Sequence, residues 1–220
     1  MGFDIEQLYR QGAGSYIDFV AGLDEDAWTR PVPCCPEWTV HDVTAHVAGL
    51  ADDVLAGRVE GAGTDPWTAE QVVRGHDRTV PELLDGWRRR VDEVAGIFKA
   101  FDDPRPVLDV HTHEHDVRQA LGRPGARSSE IVKIGADLVL QPLQEHHELR
   151  VELDDGRVIG SERHGAAVTL RHVTPFEVFR SRLGRRSLAQ VTAYDWLGDP
   201  AGVMGDWFVF GPAPHDIDER

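Results

Sequence analysis

Leu108 to Gly122 reads LDVHTHEHDVRQALG, three histidines and three carboxylates set among apolar residues with helical spacing. At about 100° per residue, Val110, Val117 and Leu121 define one apolar stripe, His113 lies at its edge, and Asp109, Asp116 and Ala120 fall just beyond it. The stretch is therefore expected to be a core helix that carries its polar chemistry inward, and such helices bury their stripe against others in a bundle. Gly122 followed by Pro124 supplies its stop signal.

Residues four apart on a helix sit about 5–6 Å apart at Cβ, so Asp109 and His113 can reach one ion. A third ligand has to come from a facing helix, and His46, which follows Val43 and precedes Leu50 on an apolar stripe, is the natural donor. Two imidazoles and one carboxylate leave a coordination position for an outside ligand, the catalytic pattern for zinc. The plainer alternative is that these histidines are hydrogen-bonded core groups and that Asp109 is a helix N-terminal charge favoured by the dipole. His111 and His115 form a rival pair on the opposite flank, expected to be solvated. HEHD is not the HExxH of zinc proteases, because no histidine stands three residues beyond Glu114.

Working outward, Phe3 to Leu23 predicts a first helix, and the proline-rich segment Asp26 to Pro36 an extended connection. Thr39 with Asp42 opens a second helix running to about Gly57, and Thr79 with Glu82 opens a third expected to continue to Phe101, with a short helical piece at Trp67 to Gly75 between them. The fourth is the histidine helix, and Ser129 to Leu140 the fifth. From Glu148 the pattern alternates: Leu149, Val151 and Leu153, then the turn Asp154 to Arg157, then Val158 and Ile159, read as a hairpin. Ala166 to Arg171 and Gln190 to Tyr194 are expected strands, Pro175 to Leu183 a helix, and the remainder irregular. The expected fold is α+β, an up-down four-helix bundle over residues 1–146 followed by a small α/β part over 147–220.

Composition narrows the function. A net charge of −15 over 220 residues, with no basic recognition helix, argues against nucleic acid or anionic lipid as partner. No apolar run approaches the ~20 residues needed to span a bilayer, and the start of the chain is acidic rather than signal-like. The two cysteines, Cys34 and Cys35, are adjacent, a spacing that suits free thiols in a reducing cytoplasm and no second Cys pair exists for a zinc cluster; a structural or incidental role is expected for them. Only Lys99 and Lys133 are lysines and asparagine is absent, which fits a GC-rich bacterial source.

CPEWTVHDVTAHVAGL at Cys35 to Leu50, together with DVHTHEHDVRQALG at Asp109 to Gly122, resembles the mycothiol-dependent maleylpyruvate isomerase family. The resemblance covers roughly residues 5–145 and implies a DinB-like bundle, zinc held by His46, Asp109 and His113, mycothiol as thiol cosubstrate, a small electrophilic substrate and an actinobacterial source. His46, Asp109, His113 and Asp116 fall on the family's positions, with one departure: Asp109 stands where the family pattern has Glu, one methylene longer. It implies an isomerase or thiol S-transferase; the competing class is a small-ligand-binding protein whose metal is structural or vestigial. TPFEVFRSRLGRRS at Thr174 to Ser187 resembles the family's C-terminal part more weakly, and Arg185 there is the candidate catalytic residue for gripping a substrate carboxylate, with structural salt bridging as its alternative.

Overall fold

In a computed structural model, which describes residues 3–161 and 167–219, Asp4 accepts from the Glu6 and Gln7 amides and starts α1 (Ile5–Ala21). Leu8, Tyr9, Tyr16, Ile17 and Val20 follow at helical spacing and are all buried. After the short α2 (Glu25–Trp28), the proline-rich connection is extended as expected, but it folds back on itself as an antiparallel ribbon of β1 (Pro31–Val32) and β2 (Cys35–Thr39). Thr39 then closes a reciprocal capping box with Asp42, and α3 (Val40–Leu55) runs inward with Val43, Val47 and Ala51 fully buried.

The short piece expected near Trp67 is α4 (Asp65–Gly75), and it lies against α3 at a distance that only glycine permits. A Cβ on Gly75 would stand 2.4 Å from the Cβ of Ala45, and one on Gly49 would stand 2.9 Å from the Cβ of Gln71. The expected third helix is two helices, α5 (Val80–Arg88) and α6 (Val91–Ala100). The chain turns at Arg89 and Arg90, where the Arg90 amide bonds the Trp87 carbonyl and its guanidinium reaches back to the Gly86 carbonyl and to Asp52. That turn leaves Trp87 buried, with its indole N–H donating to the Tyr9 hydroxyl at 3.0 Å.

The histidine helix is α7 (Arg105–Ala120), ended by Gly122 at φ +60° with the Arg123 amide bonded to the Arg118 carbonyl. It differs from the expected stripe. Every residue from Val110 to Val117 is buried, because α1 and α3 both lie against it and the β1 ribbon joins them. α1, α3, α5–α6 and α7 together make the helical bundle.

The chain divides into two compact units, Met1–Gly125 and Ala126–Arg220. α8 (Glu130–His146), assigned from sequence to the bundle, therefore belongs with the second unit, where its partners are α9 (Pro175–Arg182) and the sheet. It also runs past Leu140 and through Pro142, since a proline forfeits one ladder bond and the last turn is still closed by the His147 amide on the Leu143 carbonyl.

The alternation from Leu149 gives β3 (Leu149–Leu153), hairpinned to β4 (Val158–Gly160) and paired in parallel with β5 (Val168–Val173); Ala166, the start of the expected strand, lies outside the described residues. Gln190 to Tyr194 is not a strand: Ser187 and Gln190 close a capping box that starts α10 (Leu188–Thr192), and the last strand of the sheet is β6 (Asp195–Leu197), giving the order β4-β3-β5-β6. The segment expected to be irregular contains α11 (Ala201–Trp207), which Arg182 ties to α8 by donating to the Asp206 and Val139 carbonyls. Burial among carbonyls rather than carboxylates pushes the Arg182 guanidinium down to about 10. The molecule is thus α+β, with a helical N-terminal unit and a smaller strand-containing one. No helix among the described residues is long and apolar enough to cross a membrane.

Candidate metal centre

The Thr39 capping box fixes where α3 begins, and His46 falls two turns in, on the buried face. On α7, Asp109 and His113 are one turn apart and point the same way. The three meet. His46 Nε2 is 3.3 Å from Asp109 Oδ2, His113 Nε2 is 3.6 Å from Asp109 Oδ1, and one ligand atom from each residue lies within 4.8 Å of the other two. The imidazole rings stand edge to face with centroids 4.9 Å apart, and Trp38, delivered by β2, covers them at 5.3 Å from His46 and 6.2 Å from His113.

His113 uses both ring nitrogens. Its Nδ1 faces the fully buried Asp116, 3.1 Å away, so the carboxylate behind the ring holds Nδ1 as the donor and turns the Nε2 lone pair toward Asp109 and His46. Cys35 Sγ donates to the same Asp116 oxygen at 3.7 Å and lies 4.0 Å from His113 Nδ1. Cys35, His113 and Asp116 therefore form a second cluster with metal-ligand spacing on the far side of the same imidazole. Cys35, for which the sequence suggests a structural or incidental role, is brought there by the ribbon, a long-range feature.

His46 is backed in the same way by a residue the sequence reading passed over. Its Nδ1 is 2.7 Å from Gln71 Oε1, and Gln71 Nε2 donates to Asp53 at 2.8 Å. The only local signal is a polar residue at a buried position of the short helical piece expected at Trp67 to Gly75.

The rival pair on α7 is not solvated. His111 and His115 are 1% and 2% exposed, with ring centroids 4.7 Å apart. They are covered because Glu114, on the same flank, is neutralised from two helices: His111 Nδ1 lies 3.3 Å from it, Ser15 of α1 donates at 2.8 Å, and Arg118 donates at 2.8 Å while stacking over Phe19. Burial pushes the Glu114 carboxyl up, but hydrogen bonds from His111, Arg118 and Ser15 outweigh it and hold the group below the usual Glu range. Arg118 thus makes its ion pair with a buried partner.

Arg185 lies in the second unit, half-buried, with its guanidinium donating to the Leu183 carbonyl at 2.7 Å. The cation at the centre of that unit's ion-pair network is its neighbour Arg186, which bonds Glu177 and Glu219 beside a cavity of about 480 Å³.

The model of the mycothiol maleylpyruvate isomerase N-terminal domain matches residues 9–138. Two solved structures share the fold, a mycothiol-dependent maleylpyruvate isomerase and a histidine-to-alanine mutant of it, each with TM-score 0.51 and 14% identity over 82% of this chain and 88% of theirs. No curated protein matches. With more than half of the chain, residues 9–138, matched by the family's domain, this chain belongs to the mycothiol maleylpyruvate isomerase family and is an isomerase-like enzyme.

Proposed function

We propose that the protein activates a low-molecular-weight thiol, mycothiol by family, at a divalent metal held by His46, Asp109 and His113, and uses it to isomerise a small electrophilic substrate. The observation that carries this reading is the convergence of two imidazole Nε2 atoms on one carboxylate. The donors suit the ion. Two neutral imidazoles and a carboxylate make a borderline-soft set that favours zinc, and three protein ligands leave a position for a thiol. A bound divalent cation supplies a lowered thiol pKa, so that thiolate forms at neutral pH without a separate base.

The chain's own groups do the rest. Asp116 fixes the orientation of His113, Trp38 keeps water from one side of both rings, and Asp109, a third exposed beside histidines at 3% and 9%, is the ligand that reaches solvent. Asp109, one methylene shorter than Glu, has its carboxylate oxygens 3.3 and 3.6 Å from the His46 and His113 Nε2 atoms, close enough for the proposed shared ion. In the substrate, a carbon–sulfur bond forms as a conjugated double bond becomes single, rotation follows, and thiolate leaves as the double bond returns. Arg185 is assigned to a substrate carboxylate, and Arg185→Ala should raise KM more than it lowers kcat. The protein's proposed place is a reducing cytoplasm, in which adjacent cysteines such as Cys34 and Cys35 persist as thiols.

The test is metal content of untagged wild type beside His46→Ala and His113→Ala, then thiol titration of the cobalt-substituted protein and an assay of maleylpyruvate isomerisation with mycothiol. Stoichiometric metal lost in both variants, with a thiolate charge-transfer band, is the expected result. Well-folded wild type that takes up no metal would overturn the reading and leave a ligand-binding bundle whose histidines are core polar groups.

A further inference from the structure

We infer that Gln71, itself held by Asp53, is a positioning residue that fixes which ring nitrogen of His46 carries the proton, and so presents the Nε2 lone pair to Asp109 and His113. It rests on the metal reading above and concerns residues outside that ligand set.

Asp53 lies on α3 two turns beyond His46 and has no exposed surface. Its Oδ1 accepts from Arg58 Nε at 2.7 Å, and both its oxygens accept from Arg74 Nη2 at 2.6 Å. A carboxylate held by two guanidinium groups is an acceptor only. Gln71 is 1% exposed, and its amide can present either oxygen or nitrogen to each neighbour. Turning the amide oxygen toward Asp53 would set two acceptors against each other in a buried site, a conflict that costs as much as an unmade hydrogen bond to a charged group. The nitrogen therefore faces Asp53, at 2.8 Å, and the oxygen faces His46 Nδ1, at 2.7 Å. An acceptor at Nδ1 requires Nδ1–H, which leaves Nε2 with its lone pair.

His113 receives the same instruction directly from Asp116. The two imidazoles are thus oriented by separate devices, one a carboxylate in contact with the ring and the other a carboxylate acting through an amide. The amide is needed because Asp53 sits too far along α3 to touch His46, and α4 can insert it because Gly49 offers no side chain against Gln71. Partners of this kind behind a metal-ligating histidine fix its tautomer and ring orientation.

The experiment measures zinc affinity by competition with a chromophoric chelator, and thermal melting without metal, for wild type, Gln71→Leu, Asp53→Asn, the Asp53→Asn/Gln71→Leu pair and the Asp53→Asn/Gln71→Glu pair. Gln71→Leu should weaken zinc binding about 10–100-fold, while the Asp53→Asn/Gln71→Glu pair, which exchanges donor and acceptor between positions 53 and 71 and so keeps an acceptor on Nδ1 with a donor behind it, should stay within about threefold of wild type. Asp53→Asn, which lets the Gln71 amide turn, should weaken zinc in the wild-type background and add nothing once Gln71 is gone. A role confined to packing would move the melting temperature and leave affinity alone. If Gln71→Leu binds zinc as tightly as wild type, or Asp53→Asn acts equally in both backgrounds, the relay is overturned and the metal site stands. If folded wild type binds no zinc, the metal reading falls and the relay with it. Should Asp53→Asn or Gln71→Leu not fold, Gln71→Met, of similar volume and without the acceptor, decides the question alone, since zinc affinity equal to wild type overturns the relay.

Discussion

Gly75→Ala tests how tightly α4 must lie against α3. The added Cβ would be 2.4 Å from Ala45 Cβ and 3.3 Å from Ala45 Cα, whereas carbon atoms settle at about 3.5–4.0 Å. Ala45 is 1% exposed and its backbone is mid-helix, so α4 has to move by on the order of 1 Å. Overpacking of this kind costs about 1–3 kcal/mol, offset by at most ~1 kcal/mol from the better helix propensity of alanine. A net loss of about 1–2 kcal/mol should lower the melting temperature of metal-free protein by roughly 2–8 °C. Gln71 is one turn earlier on α4, so a shift of that size carries its 2.7 Å bond to His46 toward the limit of a hydrogen bond, and zinc affinity should fall too. The assay is calorimetry of Gly75→Ala, Ala45→Gly and the double variant, in which the space is handed from one helix to the other. The double variant should be more stable than the sum of the two losses predicts, because Ala45→Gly removes the atom that clashes. An unchanged melting temperature in Gly75→Ala, or simple additivity in the double variant, would refute the close-approach argument.

Glu114→Gln should destabilise the bundle by about 2–3 kcal/mol at neutral pH, since it takes the charged acceptor from Arg118, His111 and Ser15 together. The folded carboxyl titrates below its ordinary 4.5, so its contribution is present above that value and lost as pH falls through the folded one; urea denaturation at neutral pH and well below 4.5 should show the gap between variant and wild type closing. Thr39→Ala removes the acceptor for the Asp42 amide and a donor to the Asp42 carboxylate, and should cost about 1 kcal/mol by circular-dichroism melts.

What could be read from the sequence was what local signals encode. The capping boxes at Thr39 and Thr79, the turn at Asp154 to Arg157 and the glycine after α7 each act within a few residues, and each stands where the pattern puts it. The Ser187–Gln190 box was equally local, but the β-forming character of Val191 and Tyr194 hid it. The break at Arg89 and the passage of α8 through Pro142 depend on tertiary partners, Asp52 and Tyr9 for one and α9 for the other, and have no local mark. The same division runs through the site. Asp109 and His113 share a helix face by spacing alone, whereas Gln71, Asp53 and the approach of Cys35 depend on how α4 and the ribbon dock.

The burial of His111 and His115 bears on what holds α7 in place. A helix with this many polar residues would ordinarily keep one face in water, and the sequence reading placed those histidines there. The helix is buried instead because each flank carries a carboxylate that binds its histidine: Asp116 on His113, Glu114 on His111. Such networks hold only when neighbours supply the remaining partners, which Ser15 from α1 and Cys35 from the ribbon do. α7 is therefore locked in rotation by two opposed polar clusters, and a turn of the helix that would separate His113 from His46 must also break the Glu114 cluster on the other side. Rigid support of that kind is what a site assembled from two helices needs to hold three donor atoms within reach of one ion.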